Sequence, residues 1–167
     1  EKEKQTLRVT ETFAEVDWIT IFFFLGLFVI VHGVDAAGLL SLAAQQLIAL
    51  TGRDPAATAL AILWGSAILS AIVDNIPFVA AMIPLIRELA PHLGGPEQLA
   101  PLWWALSLGA CLGGNGTLIG ASANLTVAGI AERNGVPFGF LTYTKHAFGL
   151  MLISVGISTL YLWWRYL

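Results

Sequence analysis

The chain has 167 residues, of which 57% are hydrophobic and 11% charged, with a formal net charge of −3 and a mean hydropathy of +0.78. Soluble domains carry about 25% charged residues, so a water-facing fold of this size is excluded and the bilayer is the natural solvent. Scattered basic residues give no nucleic-acid partner, and the single cysteine, Cys111, excludes an internal disulfide.

Residues 1–16, EKEKQTLRVTETFAEV, are charged with both signs and no small-residue cleavage site follows them. They read as a polar linker, and the chain as a piece of a longer protein. Residues 17–34, DWITIFFFLGLFVIVHGV, hold no Asp, Glu, Lys or Arg after Asp17. About 20 such residues span a hydrocarbon core, so a membrane helix is expected there, with Trp18 at the interface.

Residues 36–50, AAGLLSLAAQQLIAL, are shorter and carry Gln45 and Gln46. They read as an interfacial amphipathic arm, with a tilted spanning helix as the competing reading. Asp54 and Pro55 form an N-cap and first turn. A helix follows over 56–73, then the tetrapeptide Asp74-Asn75-Ile76-Pro77, then a second helix over 78–89. Neither half is a comfortable span, and two short apolar helices around a polar turn predict a re-entrant hairpin over 55–90.

A broken helix is expected over 101–132. Its first half, PLWWALSLGACL, is interrupted at Gly113-Gly114-Asn115-Gly116-Thr117, and an apolar run resumes at Leu118. Three glycines and an asparagine in five residues are poor helix. Such backbone survives at membrane depth only where it faces protein or a wet cavity. Residues 137–144 read as a short amphipathic entry, and 146–165 as the last helix, ending in Trp163, Trp164 and Arg165. Lys2, Lys4, Arg8, Arg133 and Lys145 fall on one side, against Arg53, Arg87 and Arg165 on the other. The positive-inside tendency puts the N-terminus in the cytoplasm.

Two polar islands carry the chemistry. From Pro55 to Ile86 the only Asp, Glu, Lys, Arg or His is Asp74. An acid at the bilayer centre costs about 2.5–3.5 kcal/mol even on insertion scales, which asks for a function. Paired interrupted segments are the strongest sequence pointer to a transporter site. Small hard cations take oxygen ligands, and Asp74, Asn75, Asn115, Thr117, Ser122 and Asn124 can supply them beside freed main-chain carbonyls. Removal from water favours the neutral acid, whereas a bound cation favours the carboxylate. Competition of H⁺ and Na⁺ for Asp74 is therefore the simplest basis for exchanging the two ions.

Plainer readings stand beside this one. Asp74 and Asn75 can cap the second hairpin helix with Pro77 in its first turn. Gly109, Gly113, Gly116 and Gly120 have the spacing of small-residue packing contacts, although packing alone leaves Asn115, Thr117, Ser122 and Asn124 unexplained. The stretch GNGTLIG lacks the last glycine of a dinucleotide motif, Ile119 standing there, and no strand precedes it. No triad, Cys/His cluster or carboxylate pair argues for an enzyme, and no cofactor is implied.

Beyond these readings, DNIPFVAAMIPLI followed by GGNGTLIGASANLTVAGIAERNG resembles the ArsB/NhaD permeases of the ion-transporter superfamily. Within them the stretches are most similar to the NhaD-type sodium/proton antiporters and the melanosomal P protein. The resemblance covers about residues 15–165. It implies one half of an inverted-repeat transporter: an all-α polytopic membrane protein with a re-entrant hairpin and a broken transmembrane helix meeting at mid-membrane. It also implies a homodimer with residues 36–50 as arm helix, an elevator-like moving domain, and a missing N-terminal half that residues 1–16 would join. The transport site would comprise Asp74, Asn75, Pro77, Gly114, Asn115, Gly116, Thr117, Ser122 and Asn124. Asp74, Asn75 and Asn115 would contact Na⁺ as the transported ion. Membrane lipids surround such a protein, and the bacterial inner membrane is the expected location. Transport of an anion such as arsenite, a dicarboxylate or chloride on the same scaffold is the alternative, and a non-transporting membrane subunit is the third.

Overall fold

In the computed structural model, residues 18–167 are described, and they form an all-helical assembly. Helix α1 (Trp18–Ala36) turns at Gly38, whose φ of 73° lies in the left-handed region that glycine tolerates best, into α2 (Leu39–Thr51). The two axes differ by 65°. Leu40, Ala44 and Ile48 repeat every four residues and form the buried stripe of α2, while Gln45 and Gln46 stay exposed. The arm reading of 36–50 rests on its length and on Gln45 and Gln46, which lie off that stripe.

The hairpin consists of α3 (Pro55–Ser70) and α4 (Asn75–Leu89). Asp54 caps α3 by accepting from the amides of Ala56 at 3.2 Å and Ala57 at 3.3 Å. The first hairpin helix ends three residues earlier than expected, and the second begins three residues earlier. Pro77 does not delay α4, because it is the third helical residue and its missing N–H is one of the four that no helix satisfies internally. Two 3₁₀ turns, Ala90–His92 and Pro96–Leu99, lead into α5 (Ala100–Gly113).

Helix α5 lies directly against α3. A β-carbon on Gly109 would come within 2.4 Å of the Leu63 carbonyl oxygen, and one on Gly113 within 2.3 Å of that of Ala67. Contacts advance together along both helices, so α3 and α5 run side by side in the same direction. Only hydrogen-sized side chains allow this approach. Leu63, Leu102, Ala105, Leu106 and Ala110 sit in the core that it creates, with Ile86 and Leu89 from α4.

The chain then leaves helical geometry. Gly114–Gly116 form a 3₁₀ turn, Thr117 and Ala121 are extended, and α6 (Ser122–Arg133) follows. The second half of the broken helix thus starts at Ser122 rather than Leu118. Gly120 explains the delay: a β-carbon there would lie 2.6 Å from the Gly114 carbonyl and 2.9 Å from that of Ser70, so the segment is held against the hairpin. None of the residues of α6 is buried.

The last helix, α7 (Phe140–Tyr166), is one unbroken element of 27 residues, about 40 Å long. This corrects the division into an entry at 137–144 and a helix over 146–165. Lys145 interrupts the apolar run, but no proline stands between Phe140 and Tyr166 and Gly149 and Gly156 are isolated, so the backbone continues through the charge. Met151, Val155, Ser158 and Leu162 form its inner stripe, and the Trp64 indole of α3 donates to the Thr159 hydroxyl at 3.1 Å. Among the described residues α7 alone has the length and composition to cross a membrane by itself; α1 and α2 meet that test only as a bent pair. Exposed Phe22, Phe28, Val29 and Ile30 on α1, each 60% exposed or more, suit hydrocarbon better than water. The expected linker 1–16 and the start of the first helix at Asp17 lie outside the described residues.

Candidate functional site: the hairpin tip and the broken-helix elbow

The two polar islands meet. Asp74 is the N-cap of α4, and its side chain is half-buried. The Ile76 amide donates to Oδ1 at 3.1 Å. The Ser122 amide, forty-eight residues on, donates to Oδ2 at 3.2 Å. Ser122 is the first residue of α6, so one carboxylate joins the N-termini of two half-helices. Each N-terminus carries about half a positive elementary charge, so the pair together roughly balances one carboxylate. Charge-assisted bonds to backbone amides are among the stronger hydrogen bonds. No basic residue occurs from Pro55 to Ile86 or from Pro101 to Ala131, so neither island brings a side-chain cation of its own to Asp74.

A second tie lies beside it. The Thr117 hydroxyl donates to the Ala71 carbonyl at the end of α3, a buried contact. The Ser70 hydroxyl donates to the Ala110 carbonyl of α5 at 2.7 Å. The hairpin is thus fastened at three points, to α5, to the elbow and to the start of α6, from side chains on both partners.

Asn124 braces the elbow internally. Its amide nitrogen donates to the carbonyls of Gly114 and Thr117, both at 3.0 Å. A carbonyl can only accept, so the amide orientation is fixed and Oδ1 remains free as an acceptor. Unwound segments expose carbonyls that helix would have satisfied; Asn124 takes up two of them. Gly114 and Gly116 are buried at the elbow, a β-carbon on the latter reaching 2.9 Å from the Met151 methyl and 3.2 Å from Ala71. Gly109 and Gly113, by contrast, are packing glycines of the α3–α5 contact.

Asn75 and Pro77 occupy the first turn of α4, half-buried. Asn115 stands apart. Its exposed side chain lines a cavity of about 510 Å³ shared with Phe138, Tyr143, His146 and Leu150, and Asp74 is not on that wall. The structure therefore joins Asp74, Ser122, Thr117 and Asn124 into one constellation and gives Asn115 a different outlook. Sequence reasoning missed Ser70, Ala71 and Ala110, which enter through a hydroxyl and main-chain oxygens. A serine one turn before an intramembrane Asp-Asn pair was the available signal. The sequence reading also places no site residue on α7 and takes His146 for an interface residue, because Lys145 disguises a continuous helix.

With this geometry in place, the relatives can be read. The family described as "Citrate transporter" matches residues 4–109, more than half of the chain. An uncharacterised transporter of Mycobacterium bovis is 43% identical over 157 residues, covering 94% of this chain and 37% of the relative. The P protein of Mus musculus is 44% identical over 154 residues, covering 88% of the chain and 18% of the relative. An uncharacterised transporter of a Synechocystis strain is 35% identical over 164 residues, with 90% and 36% coverage. The chain spans about 37% of the length of the mycobacterial relatives that it matches. No solved structure matches it. A half-buried acid pinned between two broken segments, in an apolar all-helical chain with transporter relatives, leads to one assignment: the chain belongs to the citrate-transporter family of membrane transporters.

Proposed function

We propose that this chain is the C-terminal half of a sodium/proton antiporter, in which Asp74 is the shared site of H⁺ and Na⁺. The observation that carries the reading is the bridge from Asp74 to both Ile76 and Ser122. Each carboxylate oxygen accepts one amide hydrogen, and an ionised carboxylate offers about four lone-pair positions. Lone pairs therefore remain for a hard cation, with Asn124 Oδ1 and elbow carbonyls as further oxygen donors.

The two cargoes would act differently on the bridge. Na⁺ on the free lone pairs leaves both oxygens as acceptors and holds the hairpin to α6. A proton turns one oxygen into a hydroxyl, whose best role is donation, and the tie to that amide weakens. Occupancy would thus bias the geometry of the joint, which is the requirement for coupling an ion to a conformational change. The full permease would include a second hairpin and broken helix in the missing N-terminal half, would work as a homodimer, and would reside in a bacterial inner membrane.

Asp74→Asn tests this in the full-length protein. Asparagine retains N-cap ability and one acceptor oxygen but cannot carry the charge. Sodium-driven proton movement in everted vesicles is expected to fall at least about tenfold, equivalent to about 1.4 kcal/mol. Undiminished exchange would refute the assignment.

Anion transport is a second reading, favoured by the family's description and by two helix N-termini, which attract anions. The amides that an anion would use are already occupied by Asp74, which weighs against it. Saturable counterflow of labelled citrate or succinate in proteoliposomes, independent of sodium, would reverse that preference.

A further inference from the structure

The cavity on the far side of the elbow has the features of a site for an organic ligand. Its volume of about 510 Å³ falls within the range of about 300–1,000 Å³ typical of small-molecule pockets. Leu112 walls it from the end of α5, Asn115 from the elbow, Phe138 from the loop before α7, and Tyr143, His146 and Leu150 from α7. The Phe138 and Tyr143 rings stack at 6.1 Å with a 20° interplanar angle, forming a flat aromatic wall.

His146 supplies the chemistry. Its Nδ1 lies 2.8 Å from the Thr142 carbonyl. A carbonyl only accepts, so Nδ1 carries hydrogen and Nε2 of the neutral ring is left with a lone pair. Tyr143 is the other titratable group on the cavity wall; neither the elbow nor the 138 loop contributes one, and Lys145, next to His146 on α7, is exposed and does not line it.

We propose that this cavity binds a small organic acid with a single carboxyl group and an apolar body. The acid enters as the neutral R–COOH. Its O–H bond breaks as the Nε2–H bond forms, giving a carboxylate beside an imidazolium with no net charge added. His146 and Asn115 are exposed on this wall, and a neutral pair leaves no lone charge against its apolar part. The Asn115 amide can donate to the second carboxylate oxygen, while the aromatic wall, Leu112 and Leu150 hold the body. Citrate is a poorer fit, because its two further carboxylates would meet only the neutral hydroxyls of Thr142, Tyr143 and Ser154 and no second basic side chain. Asn115 sits in the same turn as Gly114, whose carbonyl Asn124 holds, so an occupant would press on the elbow. This inference goes beyond the sodium/proton reading and does not depend on it.

The test uses the purified full-length permease with benzoate as the probe, citrate as the contrast, and binding followed by calorimetry. Benzoate should bind saturably. In alkaline medium binding must take up a proton, so affinity should be higher at about pH 5.5 than at about pH 8. His146→Phe should weaken binding at least about tenfold and remove the pH dependence. Leu150→Trp, which fills the cavity, should abolish benzoate binding while the melting temperature without ligand stays close to that of the unaltered protein. Absence of saturable binding, unchanged affinity in His146→Phe, or competition by citrate as effective as by benzoate would each overturn the proposal. Should Leu150→Trp fail to fold, His146→Phe decides.

Discussion

At the scale of single residues, the site separates charge from scaffolding. Asp74 is the acid that joins the two half-helices, while Thr117 and Asn124 fix the backbone around it. The difference is testable. Asn124→Leu keeps most of the volume but strips two carbonyls of their donor. Leaving buried acceptors unsatisfied costs about 1–3 kcal/mol, so the full-length protein should melt several degrees lower in detergent. If the sodium/proton proposal holds, sodium-driven exchange should weaken with the loosened elbow. An unchanged melting temperature would show that water or lipid headgroups replace the amide. Thr117→Val removes the tie to Ala71 without changing shape and should act in the same direction, with the hairpin rather than the elbow loosened.

At the scale of elements, the α3–α5 contact sets everything that follows. The backbones approach so closely at Gly113 that a β-carbon would lie 2.5 Å from the Ala67 Cα. No side-chain rotation relieves a clash with main chain. Gly113→Ala must therefore push the helices apart, and overpacking of this kind costs about 1–3 kcal/mol. It should also reduce transport, because Ser70, Ala71 and the elbow shift with it. Gly149→Ala on α7 meets nothing within 4 Å. There the higher helix propensity of alanine should leave stability unchanged or raise it by up to about 1 kcal/mol. Parallel melting curves of the two variants check both statements. If they behave alike, the close approach at Gly113 is not what holds the hairpin to the broken helix. The cap at Asp54 belongs to this scale too, and there a sequence pattern and the structure agree: an aspartate before a proline starts α3 where expected.

At the scale of the whole molecule, much surface awaits partners or lipid. Helix α6 buries none of its residues, and Leu125, Val127 and Ile130 stand about half exposed on it. In a chain spanning about 37% of the length of its mycobacterial relatives, such a face fits cover by the rest of the permease or by acyl chains. Coexpression of this chain with the remainder of the permease should restore a complex that purifies together, whereas the chain alone should be poorly stable in detergent.

The sequence by itself determined the solvent and the punctuation of this protein. Low charge and long apolar runs demand a bilayer, and Asp-Asn-Ile-Pro and Gly-Gly-Asn-Gly-Thr mark a helix start and a helix end, because capping and propensity are local properties. The lone Asp74 was legible as a functional candidate for the same reason: its cost depends on its surroundings being apolar, which a linear reading shows. The tertiary structure alone decided what the acid touches. The partner amide belongs to Ser122, and the anchor of Thr117 is a main-chain oxygen of Ala71. Backbone donors and acceptors carry no residue signature, so no pattern in the sequence could name them. Whether Asn115 faces the acid or the opposite cavity was likewise settled only by the turn at Gly114–Gly116, since a few degrees of backbone rotation at glycine redirect a side chain without altering one letter of sequence.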